Sequence, residues 1–412
     1  MSGVPNTGIN QASRSPHWPS VLQFTGSALG LLLAWTIALA SAVYGLVQLL
    51  GEPAASADTT ASFLTALSAF FGGLVLLPST AVSFGRLINR PLRDSKKLAG
   101  RFRALPAVAL LLLPLAILLG NAAAESGDLA WLLLPPVHIL TAGLLFTGLV
   151  WLGLRKLKSG SLQGLLGSFS AGLTLSPVLA FVLEALVSIF FIALGFLYLS
   201  TQPEIMSQIE RLFNPSGNAL LNSDSSMEGL AQLLEDPIIV VLLLGYLSIA
   251  VPLIEELLKP IAVWMLLGRK LTSAQGFAMG MLGGAGFGLF ENLTLGATPV
   301  DWTLTNTLRI GATALHMATG GLMGLAIVRA KNERRYTELI ATYIATVFMH
   351  GLWNAMAILY TRDSFVSFAE STPLRPATTP ILVLALLSVV CFALLIANNR
   401  QLRRQQAEVT VE

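Results

Sequence analysis

Two glutamates and a lysine interrupt a long apolar stretch of this sequence. Glu255, Glu256 and Lys259 lie in a run of apolar residues that extends from about 238 to 267. A charge at membrane depth costs about 2.5 kcal/mol or more on insertion scales, so it usually faces a protein interior or a wet cavity. Glu255 and Lys259 have the spacing and order that favour an ion pair on a helix. Glu256 points about 100° away from Glu255. One carboxylate is therefore left over as a candidate general base, and the sequence does not decide which.

Three further polar residues that can bind metals follow in the next apolar segments, namely Glu291, His316 and His350. The two histidines are expected near the middle of successive spans, in a chain with only 4 histidines, so we interpret them as parts of one site. Asn354 lies one helical turn beyond His350 and shares its face. It is expected to orient the imidazole or to donate a hydrogen bond to an oxyanion.

These residue types are those of a metal-dependent hydrolase. Zinc hydrolases typically use three nitrogen or oxygen ligands, with a further glutamate as general base. The sequence therefore predicts Glu291, His316 and His350 as metal ligands. Glu255 or Glu256 is the predicted base, and Lys259 is expected to tune and orient these carboxylates. The single cysteine lies in an apolar run and excludes cysteine-based metal sites, so the expected cofactor is a divalent metal, with zinc favoured.

The composition places this site in a membrane. Hydrophobic residues make up 54% of the chain and charged residues 11%, against about 25% charged residues in soluble domains. The apolar runs suit helices that span a core about 30 Å thick. We predict an all-α, polytopic transmembrane helical bundle of about ten spans. The predicted spans are 25–50, 61–85, 105–123, 131–154, 176–200, 238–267, 274–296, 307–328, 337–360 and 380–398.

The basic residues predict the orientation of the chain. Most of the 25 lysines and arginines follow the even-numbered spans, so these loops and both termini are expected to be cytoplasmic. Because the first 20 residues are polar, no cleavable signal peptide is expected. The predicted organisation is a cytoplasmic N-terminal tail, an accessory transmembrane region, a catalytic transmembrane core with a large outer loop, and a last helix with a cytoplasmic tail. These parts cover 1–24, 25–175, 176–360 with the loop at 201–237, and 361–412.

Three features of the spans leave structural questions. Glycines recur every four residues from Gly276 to Gly288, and His316 lies on a similar stripe of small residues in the next span. Such stripes predict close helix–helix packing. The Gly- and Ser-rich stretch 160–175 is either an interfacial or re-entrant piece or the start of the fifth span. Glu184 is the one charged residue of the fifth span. It is expected either to pair with Lys259 or to contact the site residues without touching the substrate.

Four short motifs resemble those of the PrsW family of intramembrane metalloproteases. They are EExxK at Glu255–Lys259, FxxxEN at Phe287–Asn292, the single His316, and HxxxN at His350–Asn354. They occur in this order on four successive spans and cover about 238–360. The resemblance implies an intramembrane endopeptidase of a bacterial-type plasma membrane that cleaves membrane-anchored proteins, as in the regulated cleavage of anti-sigma factors. In the related CAAX prenyl endopeptidases the second motif carries histidine, and Glu291 at that position argues against a prenylated substrate.

Two other functions remain open from the residues alone. Intramembrane Glu, Lys and His also mark ion pathways, so a proton- or ion-coupled transporter is one alternative. A non-catalytic membrane relative is the other. The expected partners are a membrane-anchored protein substrate and the lipid bilayer. No nucleic-acid partner is expected, and the oligomeric state is open.

Overall fold

The chain folds into a bundle of helices. The computed structural model describes residues 18–51, 56–90, 105–203, 206, 233–294, 302–369 and 378–408, and within these ranges it contains no strand. Most of the predicted outer loop 201–237 and of the N-terminal tail lies outside the described residues. The α-helices are numbered in chain order: α1 Trp18–Gly51, α2 Ala57–Leu87, α3 Leu105–Ala124, α4 Ala130–Leu154, α5 Leu162–Leu173, α6 Leu175–Leu199, α7 Pro237–Gly245, α8 Val251–Leu258, α9 Ile261–Met265, α10 Ser273–Thr294, α11 Trp302–Glu333, α12 Tyr336–Ala369 and α13 Thr378–Glu408.

Most of these helices are built to cross a bilayer. Within the described ranges, nine helical stretches are long and apolar enough to do so, by length and composition. Nine of the ten predicted spans fall on these stretches, and the predicted all-α polytopic fold is confirmed. The remaining predicted span, 274–296, coincides with α10. This helix is rich in glycine and is buried along nearly its whole length, so it packs against protein, as α11 also does over most of its apolar part.

Helices α10 and α11 touch backbone to backbone. A Cβ atom built on Gly284 would meet the carbonyl oxygen of His316, and one built on Gly280 would meet that of Gly320. Only glycine therefore fits at these two positions of α10. The predicted small-residue interface is confirmed, and it holds the backbone at His316 directly against the α10 helix.

The stretch 160–175 forms the short helix α5, which also packs on α10. Gly172 lies against the backbone of Gly283, and Gly286 lies against the carbonyl oxygen of Phe169. Helices α5 and α6 together make one apolar stretch, Leu162–Leu199, with a break in the helical dihedrals at Thr174. Of the two interpretations left open by the sequence, the start of the fifth span fits this geometry.

The predicted sixth span is broken into pieces around the acidic motif. A π-helical turn, Tyr246–Ala250, joins α7 to α8. Pro252 has no backbone N–H to continue a regular helix, and such turns are a common response to an interrupted ladder. Pro260 separates α8 from α9. The two prolines thus leave Glu255 and Glu256 on a short helix of their own.

Candidate active site

The acidic motif forms a buried cluster with a histidine from α12. The Nζ atom of Lys259 lies 2.5 Å from Oε1 of Glu256 and 3.4 Å from Oε2 of Glu255. Nδ1 of His350 lies 2.9 Å from the same Oε1 of Glu256. Glu256 and Lys259 are fully buried. Glu256 is therefore the closely paired carboxylate, and Glu255 is the one left over.

A second cluster joins α10 to α11. Oε2 of Glu291 lies 3.0 Å from Nε2 of His316 and 2.9 Å from a terminal nitrogen of Arg309. The ring of His316 meets that of His350 edge-on, with 5.2 Å between ring centroids. The two clusters are thus in contact through their imidazoles.

Each imidazole contacts a carboxylate through one ring nitrogen. The second nitrogen faces Glu255 in His350, and in His316 it has no hydrogen-bond partner among the described residues. His350 Nε2 lies 3.8 Å from Glu255 Oε2. His316 Nδ1 and Glu255 Oε2 are buried and have no hydrogen-bond partner among the described residues. A buried polar atom without a hydrogen bond is costly, so these two atoms are candidates to bind a ligand.

Glu255, His316 and His350 could together hold a metal ion. One ligand atom from each lies within 4.8 Å of the others. Two imidazoles and a carboxylate are a donor set that zinc accepts. Histidine ligands of metals usually donate their second ring nitrogen to a carboxylate, and Glu256 and Glu291 occupy that place here. The residues present therefore fit a divalent ion.

A cavity of about 230 Å³ adjoins these residues. It is lined by Leu247, Glu255, Glu291, Arg309, Ala312, His316, His350, Trp353, Asn354, Ala357 and Ile358. The lining residues of α11 precede His316 and those of α12 follow His350, and these two helices run in opposite directions. The cavity therefore extends from the imidazoles toward the side of the bundle predicted to be extracytoplasmic.

The structure brings the seven predicted site residues together, with two differences in their contacts. The group that could hold a metal contains Glu255, whereas the predicted ligand Glu291 contacts His316 and Arg309. Asn354 lines the cavity, and its Nδ2 donates a 2.8 Å hydrogen bond to the carbonyl oxygen of Leu247 in the π-helical turn. The individual roles of these side chains stay predictions.

Arg309 is a site residue that the sequence analysis missed. The sequence analysis gave it no role, but it lies within α11 and lines the cavity. The signal was its spacing, since Arg309 and His316 are two helical turns apart and share one helix face.

Glu184 and His138 lie outside the two clusters of the site. Among the described residues, the carboxylates that pair with Lys259 are Glu255 and Glu256. Glu184 therefore makes no ion pair with it, although one of its buried oxygens has no hydrogen-bond partner there. His138, to which the sequence assigned no role, is buried in α4 against the ring of Trp302, with 5.5 Å between centroids.

Comparison with protein families identifies the part of the chain that carries the site. Residues 224–395 match the family model described as PrsW family intramembrane metalloprotease. This part of the chain is similar to the PrsW family. This region holds all seven predicted site residues, and the resemblance expected from the motifs is confirmed. No curated protein and no solved structure gives a significant match. The PrsW match and the membrane-spanning helices together point to a multi-pass membrane protein with an intramembrane protease domain.

Proposed function

We propose that the protein is an intramembrane endopeptidase that hydrolyses peptide bonds of membrane-anchored proteins. The observation that carries the proposal is the buried group of Glu255, His316 and His350 beside a cavity among membrane-spanning helices. An enclosed polar group of this kind is costly in a bilayer, and such groups mark functional sites. The PrsW match supports the same reaction class.

Glu255, His316 and His350 are the residues that would hold the metal, with zinc as the proposed ion. When bound there, a divalent cation supplies Lewis-acid activation of water or of a carbonyl group. Glu256 and Glu291 fix the two imidazoles in one tautomer and one orientation. Lys259 and Arg309 neutralise these two carboxylates, since a lone buried charge would strongly destabilise the fold.

Glu255 is the proposed general base because it lines the cavity, whereas Glu256 does not. One oxygen of its carboxyl group would hold the metal, and the other can accept the proton of a water molecule as the water oxygen attacks the peptide carbonyl carbon. The same carboxyl group can then return that proton to the departing nitrogen. Asn354 has a second amide hydrogen besides the one bound to Leu247, so its predicted contact with an oxyanion is compatible with the geometry.

The proposed substrates are single-pass proteins whose transmembrane segment can reach this cavity. Cleavage of membrane-anchored anti-sigma factors in a bacterial plasma membrane is the proposed biological role. The support is the resemblance of the four motifs together with the location of the cavity toward the predicted outer side.

The test of the base is cleavage of a membrane-anchored anti-sigma factor by the purified full chain in liposomes. We expect Glu255→Gln to reduce cleavage by a factor of about 10² or more. Glu338→Gln is the matched control, because Glu338 pairs with Arg329 at the other end of α12, away from the cavity. Undiminished cleavage by the Glu255→Gln protein would overturn the assignment.

The test of the metal site is elemental analysis of the folded protein. We expect about one equivalent of zinc in the wild type, loss of the ion in His316→Ala and His350→Ala, and an affinity lowered about 10- to 100-fold in Glu291→Gln. His138→Ala is the control, because this buried histidine lies outside the group. Zinc-free protein that still cleaves in the presence of a chelator would contradict the metal assignment and leave Glu255 as the sole activator of water.

A further inference from the structure

Arg309 is a partly buried cation, and in the proposed hydrolysis its role is only to neutralise Glu291. It lies in the membrane-spanning part of α11, where an arginine is costly and is usually functional. Its side chain is 21% exposed, and that exposed part borders the cavity. A residue needed only as a counter-ion for Glu291 has no reason to present charge to the cavity.

The guanidinium group has donors to spare. It carries five N–H donors in a planar fork, and among the described residues its hydrogen-bond partner is a single oxygen of Glu291. Arg309 can therefore keep this contact and still offer a pair of N–H groups to a ligand. Such a pair matches the two oxygens of a carboxylate.

Arg309 contributes a cation to a cavity whose lining is partly apolar. Leu247, Trp353, Ala357 and Ile358 also line the cavity, and these apolar side chains lower the local polarity. A charge-assisted hydrogen bond is stronger in such surroundings than in water. The three site carboxylates face two fixed cations, so a divalent ion in the group would leave one positive charge for a ligand to balance.

We propose that Arg309 recognises an acidic side chain of the substrate close to the scissile bond, an inference that rests on the proposed function. The guanidinium and the ring of His316 contact the same oxygen of Glu291, at 2.9 and 3.0 Å, so they lie within about 6 Å of each other. An extended peptide advances about 3.3–3.6 Å per residue. The recognised Asp or Glu therefore lies within about two residues of the bond that is cut.

The test is a binding measurement that does not require cleavage. The protein is the full chain with Glu255→Gln, and the probes are leucine-rich single-span peptides in micelles, with one Glu moved along the sequence and a Gln twin for each position. We expect the Glu peptide to bind about tenfold tighter than its twin at one or two adjacent positions. Adding Arg309→Gln should reduce this ratio to about one, and Arg309→Lys should retain part of it.

Arg362→Gln is the matched control, since Arg362 lies elsewhere on α12 and pairs with Asp363; it should leave the ratio unchanged. The proposal is overturned if no position shows a preference, if the preference survives Arg309→Gln in folded protein, or if it follows only a free C-terminal carboxylate and vanishes on amidation. An inactive wild type that still shows the preference would contradict the proposed function and support this recognition.

Discussion

At the scale of single residues, Glu256 is a carboxylate of the site that contacts both a lysine and a histidine. It lies against both Lys259 and His350, and neither it nor Lys259 is exposed to solvent. Removing one partner of a buried ion pair costs about 3–5 kcal/mol, because the other charge stays buried without compensation. Glu255 lies farther from Lys259 and borders the cavity, so removing its charge should cost less stability.

We therefore expect Glu255→Gln and Glu256→Gln to separate activity from stability. Glu256→Gln should lower the free energy of unfolding by about 3–5 kcal/mol, whereas Glu255→Gln should abolish cleavage with a much smaller loss of stability. The measurement is denaturant unfolding in detergent, alongside the cleavage assay. Equal losses of stability in the two variants would show that the pairing is shared between both carboxylates.

The sequence predicted which residues lie together but not how they pair. Charged and imidazole side chains are rare in apolar spans, so Lys259, Glu291 and the two histidines could be predicted as site residues without a structure. Which carboxylate pairs with Lys259 could not, because spacings of three and four residues both place side chains on one helix face. The choice depends on His350, which approaches Glu256 from another helix. Arg309 was missed because it lies near a predicted span boundary.

At the scale of helices, the contact between α10 and α11 leaves no room for side chains. We expect Gly284→Ala to lower the free energy of unfolding by about 1–3 kcal/mol and to reduce cleavage, because the new methyl group meets the backbone of His316. Gly26→Ala is the control, since a Cβ there has no neighbour within 4 Å. That change should be neutral or slightly stabilising. A Gly284→Ala protein as stable and active as the control would refute the close approach.

The helix pattern was also predictable only in part. A period of four in the glycines was enough to predict the α10–α11 interface. The sequence analysis left the stretch 160–175 open, although Pro177 in the first turn of α6 is a signal for the break at Thr174. This break also reflects the packing of α5 on α10, which only the assembled bundle reveals.

At the scale of the whole molecule, the region predicted to be accessory packs against the region predicted to be catalytic. Trp302 of α11 donates a 2.9 Å hydrogen bond to the carbonyl oxygen of Ile117 in α3. Asn399 of α13 donates one of 2.8 Å to that of Gly153 in α4. With the contact of α5 on α10, these bonds tie the first half of the chain to the site helices. We propose that the two regions fold as one unit.

Separate expression of the two regions tests whether they fold as one unit. A chain of residues 176–412 alone should aggregate or remain sensitive to protease, because the faces that α3, α4 and α5 cover would be exposed. The control is a chain cut within the loop 201–237 and co-expressed as two pieces, which should reassemble and cleave substrate. An active, monodisperse 176–412 fragment would contradict the proposal; gel filtration in detergent and limited proteolysis provide the measurement.

The contacts of Glu256 also differ in how far apart their partners lie along the chain. Lys259 is three residues away, so the pair forms within α8 as that helix enters the bilayer, and the two charges cancel from the start. His350 is 94 residues away and arrives only when α12 has been synthesised. We therefore expect the nascent protein to be inert while most of its spans are inserted. The site would become complete only near the end of translation, when most of the chain's own segments have folded and are no longer accessible to it as substrates.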